Sequence, residues 1–175
     1  CTWCHNPESI RAAPLLQVHM DRCIACGRCV AVCPVGAQGL DETGRTYDRD
    51  VCRACGSCAD ECFSGALEIC GRKMSVAEVL AEVIKDEPYY QSSGGGVTFS
   101  GGEPVLQTDY LRQLLSACRS HSLHTAVDTA GNYPWSQLAS LLPHCDLVLY
   151  DLKVLDPDRH HQFVGTGGER IRANL

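Results

Sequence analysis

The 175-residue chain has no apolar run approaching the length of a membrane-spanning helix, about 20 residues. That excludes a helical membrane protein. Nor does it carry a surplus of positive charge: 15 lysines and arginines face 21 aspartates and glutamates, a net charge of −6. Proteins that grip nucleic acid by its phosphates need a basic face, so neither a nucleic-acid nor a membrane partner is expected. A secretory leader is missing too. The chain opens CTWCHNPES without a methionine and reads as cut from something longer. With 45% hydrophobic and 21% charged residues it is globular rather than disordered. A chain of this size buries about 70% of its unfolded surface, so it needs no cross-links merely to fold. The length suits one domain, or one with a small insert.

What the sequence has in abundance is cysteine: thirteen, an odd number that fits full disulfide pairing poorly. Thiols serving as metal ligands in a reducing cytoplasm are the better expectation. Their placement supports it. Cys23, Cys26, Cys29 and Cys33 form one run, and Cys52, Cys55, Cys58 and Cys62 form a second, offset by 29 residues. The repeat extends past the thiols, since CPVGA (33–37) is answered by CFSGA (62–66). Residues 20–71 therefore read as an insert of two similar halves.

C-x2-C-x2-C-x3-C-P is the bacterial ferredoxin pattern, in which three close thiolates hold three irons of a cubane and the fourth cysteine ligates the other cluster. The expected ligand sets are thus Cys23, Cys26, Cys29 and Cys62 for one 4Fe–4S cluster, and Cys52, Cys55, Cys58 and Cys33 for a second. Phe63 stands where the first run has Pro34 and leaves the ligands intact. Zinc sites and disulfides are the blander alternatives, and zinc rarely needs four cysteines so crowded.

Beyond Gly71 the pattern alternates. Ser75 and Glu78 form a capping box ahead of Val76, Val79, Leu80, Val83 and Ile84 at helical spacing, and Pro88 is expected to end that helix. GGGVTFSGGEP (94–104) reads as a strand between turns. Asp109 is expected to cap a helix that buries Leu111, Leu114, Leu115 and Cys118. HTAVDTAGN (124–132) is a strand running into a turn, 134–142 a helix, and CDLVLYDLK (145–153) a buried strand. Helices follow Pro157 and Gly168. Strict alternation of strand and helix argues for a parallel α/β fold, with chemistry at the carboxyl ends of the strands. Gly101–Pro104, Asp128–Gly131 and Asp151–Lys153 fall at three such ends. Three strands are too few for a closed barrel, so further strands are expected outside this chain.

Cys1 and Cys4 make only a lone C-x2-C. Followed by HNPES, a two-cluster insert and then GGEP, DTAG and DLK in this order, they give the chain a resemblance to the radical S-adenosylmethionine enzymes. Within them it resembles the activating enzymes of glycyl radical enzymes, in the subgroup with a two-cluster insert that pyruvate formate-lyase activase lacks. The resemblance covers essentially all 175 residues. It implies a partial (β/α) barrel with an inserted ferredoxin-like domain: residues 1–19 begin the core with its cluster loop, 20–71 are the insert, and 72–175 are the partial barrel.

It also implies roles. Cys1 and Cys4 are the second and third cysteines of C-x3-C-x2-C, the first lying four residues upstream. Three thiolates leave one iron open for the amino and carboxylate groups of S-adenosylmethionine. Reductive cleavage then yields methionine and a 5′-deoxyadenosyl radical that takes a hydrogen from a backbone glycine of the partner, a glycyl radical enzyme. Gly101 and Gly102 allow close backbone approach, and Glu103 meets the methionine ammonium, unless it only shapes the strand-to-helix turn. Asp128 and Asp151, with the carbonyls of Thr129 and Leu149, are implied to hold a monovalent cation. Lys153 counters a cofactor carboxylate or is a solvated rim charge, and Trp3 shields the cluster or borders the adenine; His5 donates to a cluster sulfur, lines the adenine pocket or packs. Flavodoxin or ferredoxin is the implied electron donor, and the location is the cytoplasm. A radical enzyme acting on a small molecule and a plain ferredoxin-type carrier are the alternatives. His160 and His161 read as a solvated pair, and Cys118 and Cys145 as buried thiols.

Overall fold

The computed structural model describes residues 1–175 and divides into two compact units. One runs from Pro7 to Lys73; the other joins Cys1–Asn6 to Met74–Leu175.

The Pro7–Lys73 unit contains β1 (Leu15–Val18), α1 (Arg28–Val32), β2 (Gln38–Asp41), β3 (Gly44–Tyr47), α2 (Ser57–Asp60) and β4 (Leu67–Cys70). The 29-residue offset of the cysteines carries β1 onto β3, α1 onto the start of α2, and β2 onto β4. Each half is thus strand, thiol loop, short helix, strand. The halves are laced together across two antiparallel pairs, β1 with β4 and β2 with β3. Even the register repeats: Val18 faces Leu67 in one pair, and Tyr47 faces Gln38 in the other. Because β1 pairs with β4, this unit begins ahead of residue 20 and takes in residues that the sequence pattern grouped with 1–19. Its small core is Leu16, Cys58 and Leu67, so thiols themselves fill part of the interior.

The second unit is built on a parallel three-stranded sheet in the order β5 (Gly96–Phe99), β6 (His124–Thr129), β7 (Leu147–Tyr150). Its helices are α3 (Val76–Ile84), α4 (Glu87–Ser93), α5 (Thr108–Ser120), α6 (Trp135–Leu141), α7 (Pro157–Val164) and α8 (Glu169–Ala173). The class is α/β. The α3 capping box is complete, with Ser75 and Glu78 bonding each other's backbone N–H, an arrangement worth about 1 kcal/mol. On α5 the four residues expected to be buried are buried, each leucine worth roughly 2 kcal/mol. Leu111 and Leu115 join Val105, Val127, Tyr133, Leu138 and Leu141 in one core cluster.

Several expectations are corrected. Pro88 stands in the first turn of α4, where its missing N–H costs nothing, so it opens a helix as well as following one. Asp109 lies inside α5 and bonds Arg112, while Gln107 occupies the cap position without a side-chain bond. The strand 145–153 is only half buried, because β7 is an edge strand; Leu147 and Leu149 remain over 40% exposed. His160 is 2% exposed rather than solvated, its Nδ1 held 2.6 Å from the Thr166 carbonyl. His161 is exposed.

Candidate iron–sulfur cradles and strand-end site

In the Pro7–Lys73 unit the thiols sort into two groups. Cys23, Cys26, Cys29 and Cys62 line one open cavity. Cys33, Cys52, Cys55 and Cys58 line another. The fourth cysteine of each run thus stands with the first three of the other, as the ferredoxin spacing expects. No three cysteine, histidine or acidic side chains converge on a single ion position. A mononuclear zinc site would need that convergence, whereas a cubane spreads its thiolates over four irons.

The backbone is shaped for these cavities. Ala25 and Ala54, at matched positions, hold φ of 53° and 49°. A left-handed conformation costs a non-glycine residue about 1–2 kcal/mol, and strain repeated at both loops marks a functional constraint. Gly27 and Gly56 continue the bend at φ 74° and 89°. Donors then aim at sulfur. Ala37 N–H reaches Cys33 Sγ at 3.2 Å, Ala54 N–H reaches Cys52 Sγ at 3.4 Å, and Gln38 Nε2 reaches the buried Cys58 Sγ at 3.6 Å.

At Cys33 and Cys62 such donors decide the thiol chemistry. Burial pushes Cys33 up, but the N–H groups of Val35, Ala37, Gln38 and Gly36 outweigh it and hold the thiol below its ordinary value. The matched Cys62 is also pushed up by burial and brought below by the Ser64 hydroxyl and the N–H groups of Leu67, Ala66 and Ser64. Thiolates are the metal ligands, so the residues present fit iron–sulfur clusters. Burial raises Cys70, Cys118 and Cys145, and it also raises Cys58 in the second cradle, where the neighbouring Cys52 adds to the effect.

In the second unit, Cys1 is exposed and Cys4 half-buried, both as free thiols. Their loop is held by α7: Thr2 N–H bonds the Phe163 carbonyl at 2.8 Å, and the Trp3 ring meets Phe163 at 5.8 Å between centroids. His5 is exposed.

The three strand-end turns form one hydrogen-bonded network. Glu103 caps the 3-10 turn Pro104–Gln107, accepting from Val105 N–H at 3.1 Å. It also accepts from the Thr129 hydroxyl at 2.8 Å and from Ala130 N–H at 3.0 Å. The turn-shaping role is therefore present. A carboxylate offers about four acceptor positions, so one remains for another donor. Thr129 has one hydroxyl proton and gives it to Glu103; its oxygen takes bonds from Tyr133 Oη and Gly131 N–H. Asp151 N–H bonds the Thr129 carbonyl at 2.9 Å, which leaves that carbonyl a second lone pair. Asp128 accepts from Ser100 Oγ at 2.7 Å, and Lys153 is ion-paired with Asp151. Gly101 has φ 115° and open space where a Cβ would be, and Gly102 beside it is exposed.

Sequence reasoning missed Ser100, Tyr133 and Asn174. Asn174 is buried and donates to the carbonyls of Gly131 and Tyr133 from 43 and 41 residues away, a separation that leaves no local signal. Tyr133 is 1% exposed, and burial pushes its phenol up to about 12.

Paired thiol-lined cradles in one unit of the chain fit an iron–sulfur protein. The chain belongs to the 4Fe-4S single cluster domain family, whose model matches residues 49–169; a 4Fe-4S binding domain model matches 16–38. It is similar over 100% of its length to the benzylsuccinate synthase activating enzyme of Thauera aromatica (42% identical, 55% of that protein covered). The trans-4-hydroxy-L-proline dehydratase activating enzyme of Clostridioides difficile is 40% identical (58% covered), and the (2S)-3-sulfopropanediol dehydratase activating enzyme of Klebsiella oxytoca 36% (57% covered). These are activating enzymes, as the motif string led one to expect. A solved domain of a pyruvate-formate lyase-activating enzyme from Bacteroides vulgatus is 38% identical at TM-score 0.43, over 46% of this chain and 50% of that one. The chain spans a little over half the length of the curated relatives it matches.

Proposed function

We propose that the protein is a radical S-adenosylmethionine activase of a glycyl radical enzyme. The observation that carries this is the network Glu103–Thr129–Asp151, which joins the GGEP, DTAG and DLK turns at adjacent strand ends, in a chain whose full-length relatives are activating enzymes.

In this reading Cys1 and Cys4, with an upstream cysteine, hold a 4Fe–4S cluster that leaves one iron open. When bound and reduced, such a cluster would supply the electron for reductive cleavage of S-adenosylmethionine, the chemistry by which a hydrogen would be abstracted from a backbone glycine of the partner. The chain's own residues bind and orient. Glu103 uses its remaining acceptor position for the methionine ammonium. Gly101 and Gly102 let the ligand approach the backbone, where no Cβ intervenes. Trp3, packed on Phe163, walls the cluster loop. Lys153 exchanges its pairing with Asp151 for the ligand carboxylate, which frees Asp151 to join Asp128 and the carbonyls of Thr129 and Leu149 around a monovalent cation. Hard oxygen ligands suit such an ion.

The eight remaining run cysteines hold two further clusters in a ferredoxin-like insert that relays electrons from flavodoxin or ferredoxin. Residues 1–6 and 74–175 belong to a partial barrel. Its support is the edge strand β7, which leaves Leu147 and Leu149 exposed. No helix of the chain is long and apolar enough to cross a membrane, and a cytoplasmic location accords with free thiols.

The test is anaerobic turnover of the full-length, iron-reconstituted protein with dithionite. Deoxyadenosine formation, with a glycyl radical signal on an added partner, supports the reading; no deoxyadenosine rejects it.

A further inference from the structure

The two halves of the Pro7–Lys73 unit share a backbone but not a surface. Met20 and Ile24, beside the first thiol run, are 58% and 69% exposed. Their equivalents 29 residues on are Arg49 and Arg53, both exposed. These two arginines, with Arg11, line an open cavity whose wall also includes Tyr47, Cys52 and Ala54. No carboxylate lines it. Asp48 and Asp50 flank Arg49 in sequence without lining the cavity, and Asp48 Oδ1 is taken by the N–H groups of Asp50 and Val51. The cavity backs directly onto the second cradle, since Cys52, Arg53 and Ala54 line both.

Three arginines lining one cavity that no acidic residue lines, in a chain of net charge −6, need a reason. Packing does not supply one, because the same backbone is made with Met20 and Ile24 in the other half. Arginine clusters recognise carboxylates, and charge complementarity chiefly sets the encounter rate and the orientation of docking.

We infer that the Arg11–Arg49–Arg53 face is the docking site of an acidic one-electron carrier protein, and that electrons enter the insert through the second cysteine run. This rests on the proposed function and adds to it the place of contact. The balance is simple. The reduced carrier loses one electron, and the group held by Cys33, Cys52, Cys55 and Cys58 gains it. No bond is made and no proton moves. The apolar Met20–Ile24 face is not used by this partner.

The test measures binding of an acidic ferredoxin and of a flavodoxin to the full-length, iron-reconstituted protein by calorimetry at low and high salt. Wild-type affinity should fall as salt rises. Arg49→Glu with Arg53→Glu should weaken binding about tenfold or more, with iron and sulfide content retained. Arg22→Glu with Arg72→Glu makes the same change in net charge outside the cavity and should stay within about twofold of wild type. If the acidic double variant loses its clusters, Arg49→Gln with Arg53→Gln replaces it and should weaken binding in the same direction. Equal weakening by the two charge-matched pairs, or none by either, overturns the inference, as does a site that takes inorganic phosphate and no carrier. Dithionite-driven S-adenosylmethionine cleavage is scored separately: its absence rejects the proposed activity, and the docking site still stands or falls on carrier binding.

Discussion

Thr129 gives its single hydroxyl proton to Glu103 Oε1 at 2.8 Å, tying the turn after β5 to the last residue of β6. The Thr129 hydroxyl oxygen receives Tyr133 Oη and Gly131 N–H, so one side chain holds two turns and a buried phenol in place. Thr129→Val keeps the shape and strands three partners. It should cost about 1–3 kcal/mol in chemical denaturation and weaken S-adenosylmethionine binding, while Thr129→Ser recovers most of both losses.

Gly131 has φ 73°, and a Cβ there would collide with the Tyr150 phenol, itself bonded to the Ile171 carbonyl at 2.7 Å. Gly131→Ala therefore adds overlap to backbone strain. Gly94 has nearly the same φ and open space around it, so Gly94→Ala should cost only about 1–2 kcal/mol. Thermal unfolding of the two variants should show Gly131→Ala as clearly the less stable; equal losses would contradict the contact.

Burial raises the Tyr133 phenol to about 12 from an ordinary 10. The folded state then holds that proton more tightly than the unfolded chain does, so the associated stability is present below pH 10 and lost as pH rises through about 12. Tyr133→Phe removes this titration. Its stability should be lower at neutral pH, through the lost bond to Thr129, but should fall less steeply between pH 10 and 12 than that of the wild type.

The crossed thiol sets are checked by double substitution. Cys33→Ala with Cys52→Ala removes two thiols from one cradle, so iron content should fall by about one cubane. Cys33→Ala with Cys23→Ala strikes both cradles and should lose about two. The reverse order in iron analysis would contradict the ligand sets.

Much of this arrangement was legible in the sequence because the determinants are local. Thiol spacing set the cradles, Ser75 and Glu78 set a cap, and alternating strands and helices set the α/β class. The rest was not, for identifiable reasons. The four strands of the Pro7–Lys73 unit are only four residues long each, too short for alternation to register, and their pairing crosses between halves. His160 looked solvated because its partner is the backbone carbonyl of Thr166, which no sequence pattern announces. Strand β7 looked buried because its residues are apolar, but burial belongs to its position at the sheet edge. Glu103 satisfied both the turn and the ligand reading, and only the count of its acceptor bonds separates what is used from what remains.

The most direct measurement is electron paramagnetic resonance of the reduced, iron-reconstituted full-length protein with and without S-adenosylmethionine. The account predicts signals from three 4Fe–4S clusters, of which one changes on addition of the ligand, and it predicts that Cys4→Ala removes that one alone. Spectra indifferent to S-adenosylmethionine, or a Cys4→Ala variant that retains the responsive signal, would contradict it.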